Sequence, residues 1–287
     1  DSSLSKRPML RVIKPLMDMG ANIKSNDGKA PIKIIESNIS NDFKYDMPIA
    51  SAQVKSSLLL ASLSSNKSIT ITEPKITRNH TERMIEYFGG DIQYGDKTRK
   101  GFIKLGKKNL IPKESYEVVG DFSSASFMIV AALIAKESNL VIKNVGLNPT
   151  RSGLINILLQ MGANIEVKNQ TLISNEESAD LIVKSSRLHG IEVPENVIPN
   201  IIDEIPILSI AAAFSEGTTI IKNASELRVK ESDRLNAISE GLSKLNINHK
   251  TFEDGISITG NTNDISVHEE IDSFRSEERR VGKECER

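Results

Sequence analysis

Four times along the chain an amphipathic helical segment runs into a turn signal and then directly into a strand. No other feature of the sequence constrains the fold as much. The first three copies read Met19-Gly20-Ala21-Asn22-Ile23, Phe88-Gly89-Gly90-Asp91-Ile92 and Met161-Gly162-Ala163-Asn164-Ile165, and in the fourth Asn246 stands where glycine stood. Glycine or asparagine just past a helix supplies the left-handed residue that closes it. Each copy therefore predicts a helix, a left-handed cap and a strand, within Arg11 to Lys24, Glu82 to Gln93, Ser152 to Val167 and Asp233 to Lys250. The caps lie 69, 73 and 84 residues apart, the mark of a duplicated unit.

Between these outer helices lie three more apolar segments, Ser51 to Leu63, Ser123 to Ala135 and Asp203 to Phe214. They leave little polar face, which predicts helices buried inside each unit. β-Branched alternation follows them at Ser68 to Thr72, Asn139 to Ile142 and Thr218 to Ile221, the pattern of strands. Each unit thus reads strand, buried helix, strand, outer helix, strand pair. The expectation is an α/β (mixed α+β) chain of two domains, 1–118 and 119–274, with about two repeats in each and the boundary beside Gly120-Asp121. With 287 residues, 38% of them hydrophobic, there is material for two cores.

Thirty-seven basic residues against 38 acidic ones leave a net charge of −1, so no global field draws the chain to nucleic acid or an anionic membrane. No apolar run reaches the roughly 18 residues of a spanning helix. The single cysteine, Cys285, excludes a disulfide framework and fits a reducing, cytoplasmic compartment. His80, His189, His249 and His268 show no metal-ligand spacing, and phosphate-loop, dinucleotide and serine-elbow motifs are absent, so neither a metal nor an organic cofactor is expected.

Anion binding must then be local. Arginines stand beside every outer-helix start: Arg7 and Arg11, Arg78, Arg151, then Arg228 and Arg234. A helix N-terminus with a neighbouring guanidinium suits phosphate or carboxylate, although the same arginines can equally be solvated or paired with Glu82, Glu226 and Glu231. Ser51-Ala52-Gln53 opens a buried helix, where Ser51 reads as an N-cap as readily as a ligand. Asp203 opens the third buried helix. Asp203 and Glu231 form a candidate acid and base pair, with Lys230 raising the local positive potential that keeps them ionised.

Several of these segments also occur in a family order: Ser3 to Met9, Ala50 to Ser56, Thr77 to Glu82, Gly120 to Ser124, Asn148 to Arg151, Ile202 to Glu204, and Arg228-Val229-Lys230-Glu231-Ser232-Asp233-Arg234. Together they resemble 5-enolpyruvylshikimate-3-phosphate synthase, most closely its bacterial branch known for glyphosate-insensitive members. The resemblance implies an enolpyruvyl transferase fold, two domains of βαβαββ units that close over shikimate-3-phosphate and phosphoenolpyruvate, acting as a cytoplasmic monomer without cofactor. It implies that Ser51, Ala52, Gln53, Arg78, Asp203 and Lys230 hold shikimate-3-phosphate. It further implies that Arg7, Gln53 and Arg234 hold phosphoenolpyruvate, that Asp203 takes the proton of the attacking hydroxyl, and that Glu231 protonates the methylene carbon. The family's Lys-Ser start and Gly-Asn-x-Gly-Thr-type loop are expected to precede Asp1, and the charged stretch 275–287 reads as a foreign or frameshifted end where the family carries an Asp-His-Arg segment. UDP-N-acetylglucosamine enolpyruvyl transferase, which shares the fold and the donor, is the alternative enzyme; its reactive loop cysteine has no counterpart outside the tail. An inactive anion-binding fragment is the alternative outside enzymes.

Overall fold

The structure, a computed structural model, describes residues 5, 7–95, 101–229 and 232–261. Lys230, Glu231 and the tail 275–287 lie outside the described residues. The described chain divides into two compact units, one running to Val118 and including Leu172–Glu176, the other comprising Val119–Thr171 and the residues from Glu177 onward. The hairpin end 172–176 therefore groups with the first unit, whereas the sequence placed it in the second. Its side chains and backbone are tied there: Asn175 Nδ2 donates to the Arg83 carbonyl at 3.1 Å, and the Glu117 N–H donates to Ser174 Oγ at 3.1 Å.

The first unit opens with α1 (Leu10–Asp18) and the antiparallel pair β1 (Asn22–Asn26) and β2 (Lys29–Ile35). A complete repeat follows: β3 (Phe43–Asp46), α2 (Ala52–Ser64), β4 (Ile69–Thr72), α3 (His80–Tyr87), β5 (Ile92–Tyr94) and β6 (Phe102–Leu105). The sheet order is β3-β4-β6-β5, with β3 parallel to β4 and the other pairs antiparallel. Leu58 and Leu59 of α2 are fully buried with Ile69, Ile71, Ile103 and Leu105 of the sheet, so α2 is the core helix the apolar run predicted.

The second unit holds two more copies. In one, α4 (Phe122–Ile134), β7 (Asn139–Gly146), α5 (Gly153–Gln160), β8 (Asn164–Ile173) and β9 (Glu176–Lys184) form a sheet of order β7-β9-β8, and Gly120 bridges parallel to Val145 where the first repeat has β3. In the other, α6 (Ile198–Ile201), α7 (Ile205–Ala213), β10 (Thr218–Ile221), α8 (Arg234–Lys244), β11 (Asn248–Phe252) and β12 (Gly255–Thr259) give the order β10-β12-β11, with Glu192 bridging parallel to Ile220. The described residues therefore repeat one topology three times. α4 packs against α7, whose buried Ala211, Ala212 and Ala213 lie in one core with Ile129 and Leu133.

All four expected caps are left-handed, with φ of +109° at Gly20, +74° at Gly89, +94° at Gly162 and +53° at Asn246. Each also makes the same two hydrogen bonds. The cap N–H bonds three residues back, as Gly20 to Met17 and Asn246 to Ser243, and the next N–H bonds five back, as Ala21 to Leu16 and Ile247 to Leu242. That pairing satisfies two carbonyls the helix end would otherwise leave open. One boundary differs from expectation. The third buried helix starts at Ile205 and not at Asp203, because Pro206 sits in its first turn, the position where a missing N–H costs nothing. Asp203 consequently lies in the bend between α6 and α7, and the two helices, counted from Glu195, meet at 114°.

Candidate functional site

In the first unit, Ser51 is the N-cap of α2, its hydroxyl accepting the Val54 N–H at 3.4 Å. Ala52 and Gln53 form the first turn, with Gln53 exposed. Arg78 sits half-buried in the loop between β4 and α3, two residues before the helix. That loop is shaped by Glu73, which accepts the Thr77 N–H at 3.1 Å and its hydroxyl at 2.6 Å. Arg7 lies in a bend ahead of α1.

Glu73 belongs to a buried cluster that the sequence reading missed. Lys55 Nζ lies 3.3 Å from both Glu73 oxygens and 2.7 Å from Glu82 Oε1, with the three side chains only 1%, 2% and 1% exposed. Glu82, one of the acids left open as a partner for the arginines, meets Lys55. Burial pushes the Glu82 carboxyl above the ordinary carboxylate range, against the opposing pull of Lys55. Its second oxygen, Oε2, is buried without a hydrogen-bond partner. A signal was available: Lys55 is the one charged residue in α2.

In the second unit Arg151 and Arg234 each return to a segment that leads into a buried helix. The Asn148 side chain accepts from the Thr150 N–H at 2.9 Å and from its hydroxyl at 2.7 Å, a turn that presents Arg151. Arg151 Nη2 donates to Asp121 at 3.3 Å and to Ser123 at 2.7 Å, and Ser123 passes its own proton donor to the buried Glu204. Asp121 also caps α4 through the Ser124 N–H at 2.8 Å. Burial works to raise the Asp121 carboxyl, yet the Ser124 hydrogen bonds and the Arg151 charge hold it below the ordinary range. These contacts tie Arg151 to the start of α4.

The next repeat does the same with different consequences. Arg234 is the first residue of α8, and its Nη1 donates to Asp203 Oδ1 at 3.1 Å. Asp233 caps that helix by accepting the Asn236 N–H at 3.0 Å. Arg228 is a staple: it donates to Asp233 at 3.0 Å and to the carbonyls of Glu253 at 2.8 Å and Phe252 at 2.7 Å, fixing its segment to the β11–β12 turn. The sequence grouped Arg228 with the candidate anion-binding arginines; its contacts are two backbone carbonyls and the Asp233 carboxylate of its own segment. Asp203 and Arg234 are thus brought together, while Lys230 and Glu231 fall outside the described residues. The buried helices of these two repeats have Asp121 and Glu204 at the N-cap, where that of the first unit has the uncharged Ser51. Among the described residues no group of three or more His, Cys, Asp or Glu side chains is arranged to hold a metal.

Comparison with known proteins follows this geometry. The sequence profile of the family described as EPSP synthase (3-phosphoshikimate 1-carboxyvinyltransferase) matches residues 1–275. The 3-phosphoshikimate 1-carboxyvinyltransferase of Petrotoga mobilis is 50% identical over 263 residues, covering 91% of this chain and 60% of the relative. That of Legionella pneumophila (strain Corby) is 46% identical over 260 residues, covering 91% and 59%. The chain spans about 60% of the length of the curated relatives it matches. Among solved structures, the EPSP synthase of Acinetobacter baumannii superposes with a TM-score of 0.82 at 43% identity, over 95% of this chain and 62% of that one. The enolpyruvyl transferase NikO of Streptomyces tendae shares the fold at 15% identity, with a TM-score of 0.66 over 89% and 59% of the two chains.

Proposed function

This chain belongs to the EPSP synthase family, and on that premise we propose that it serves the transfer of the enolpyruvyl group of phosphoenolpyruvate to shikimate-3-phosphate with release of phosphate. Ser51, Ala52, Gln53, Arg78, Asp203 and Lys230 are assigned to shikimate-3-phosphate, Arg7, Gln53 and Arg234 to phosphoenolpyruvate, and Asp203 and Glu231 to proton transfer. In this reading the acceptor hydroxyl attacks the enol carbon as its proton passes to Asp203, and Glu231 delivers a proton to the methylene carbon. The tetrahedral adduct then loses phosphate together with a proton from its new methyl group, restoring the double bond. Because charge develops on the transferred group while both reactants are held still, fixed guanidinium and carboxylate groups are the kind of apparatus such a reaction needs.

The observation that carries the proposal is the 3.1 Å contact between Asp203 and Arg234, both partly buried, which joins the assigned base to an assigned phosphoenolpyruvate ligand. A carboxylate that accepts a hydrogen bond from a fixed guanidinium is held in one orientation, which suits it to act as a base. The test is phosphate release from phosphoenolpyruvate by the protein carrying this sequence, with and without shikimate-3-phosphate. Release that requires shikimate-3-phosphate and falls by on the order of 10² in Asp203→Asn supports the assignment. Absence of acceptor-dependent release, or an Asp203→Asn protein with undiminished turnover, overturns it.

A further inference from the structure

The residues proposed to hold shikimate-3-phosphate in the first unit come from two separate segments, the start of α2 (Ser51, Ala52, Gln53) and the loop before α3 (Arg78). Something must set the distance between them. Lys55 lies two residues beyond Gln53 on α2. Its three ammonium donors reach both oxygens of Glu73, at the exit of β4, and one oxygen of Glu82, in the first turn of α3. Glu73 in turn accepts both donors of Thr77, the residue before Arg78. A hydroxyl pair, Ser56 with Thr81 at 2.7 Å, joins α2 to α3 alongside.

We propose that Lys55 and Glu73, with Glu82 as the second acceptor of Lys55, are positioning residues that fix Arg78 relative to Ser51 and Gln53 and so set the affinity of the first unit for shikimate-3-phosphate. This rests on the substrate assignment above. The chemistry favours a positioning role over simple stabilisation. Taking a charged trio out of water is costly, and an apolar cluster of the same volume commonly stabilises as well or better. What the trio supplies that an apolar cluster does not is direction, since each bond ends on a defined oxygen and one of them continues into the loop backbone. The charge count agrees: one ammonium faces two carboxylates, and the carboxyl with the buried, unpartnered oxygen, Glu82, is the one burial drives toward the neutral form. Lys55 needs an acceptor from Glu82 but does not need its charge.

Two measurements on the same variants test this. The first needs no ligand: amide hydrogen exchange at Thr77, Arg78 and Asn79 compared with the core amides of β4 and β6. The second is calorimetric binding of shikimate-3-phosphate. Glu73→Gln and Glu82→Leu should speed exchange in the loop by about tenfold or more while leaving the core protected, and should weaken binding by a similar factor. Glu82→Gln, which retains the acceptor, should keep both within about threefold of wild type. A triple variant, Lys55→Met with Glu73→Gln and Glu82→Leu, guards against loss of fold in any single change; it should melt cooperatively yet show the fast loop and the weak binding. Loop exchange that stays slow in Glu73→Gln, or Glu82→Gln as damaging as Glu82→Leu, overturns the positioning role. Fast loop exchange with unaltered shikimate-3-phosphate affinity also overturns it. If the wild-type protein does not bind shikimate-3-phosphate at all, the substrate assignment fails, and the exchange result alone decides whether the trio braces the loop.

Discussion

Replacing Arg234 by lysine keeps the charge and removes the fork, and the structure says what that should cost. One guanidinium nitrogen is engaged by Asp203 at 3.1 Å, in a pair whose side chains are 19% and 26% exposed. Fully exposed ion pairs contribute about 0–1 kcal/mol, and breaking a fully buried one costs about 3–5 kcal/mol. A partly buried pair falls between, at about 1–2 kcal/mol, or about 5–30-fold in an equilibrium constant. A lysine ammonium can follow Asp203 or an incoming carboxylate, but it lacks the planar geometry to hold both. Arg234→Lys should therefore raise the phosphoenolpyruvate requirement by about tenfold and also lower turnover, since the assigned base loses its orienting donor. The assay is initial-rate phosphate release with each substrate titrated at saturation of the other, for Arg234→Lys, Asp203→Asn and the double variant. The double variant should lose less than the sum of the singles by about 1–2 kcal/mol in transition-state stabilisation. Additivity within about 0.5 kcal/mol, the behaviour of independent sites, would refute the coupling and leave the Asp203–Arg234 contact incidental to the chemistry.

Two further predictions concern the scaffold of the first unit. Alanine in a left-handed cap costs about 1–2 kcal/mol, but the caps differ in space: a Cβ at Gly20 would stand 2.2 Å from the Asn38 carbonyl oxygen, whereas at Gly89 the nearest atom is a movable Ile111 methyl at 3.0 Å. Gly20→Ala should destabilise by at least about 1 kcal/mol more than Gly89→Ala in urea denaturation, and equal losses would contradict the packing. For Glu82 the native carboxyl holds its proton more tightly than the unfolded chain, so its contribution is complete below the unfolded value of about 4.3 and is lost as pH rises through the native one. Glu82→Gln should accordingly gain melting temperature relative to wild type as pH is raised from about 4 to about 8, and a pH-independent difference would refute the assignment.

What could be read from the sequence and what could not divide along the length scale of the interactions. A left-handed cap is decided by the residue that occupies it and the few that precede it, so Gly20, Gly89, Gly162 and Asn246 announced four helix ends and, through their spacing, the repeat itself. Buried helices were legible for the same reason, since an all-apolar run has nowhere else to go. The partners of the charged groups were not. Arg151 meets Asp121 across 30 residues, Arg234 meets Asp203 across 31 and Lys55 meets Glu73 across 18, and no periodicity links such positions. The sequence could place every outer-helix arginine at a helix start, yet it could not tell Arg228, which reaches the carbonyls of Phe252 and Glu253 and the nearby Asp233, from Arg234, which reaches Asp203 in a distant segment. The repeat offers a partial remedy. Once three copies share one topology, the N-cap of each buried helix becomes a comparable position, and the residue there separates the copies: an acid at Asp121 and Glu204, a hydroxyl at Ser51. An incoming anion must compete with the carboxylate that an outer-helix arginine already meets, Asp121 for Arg151 and Asp203 for Arg234.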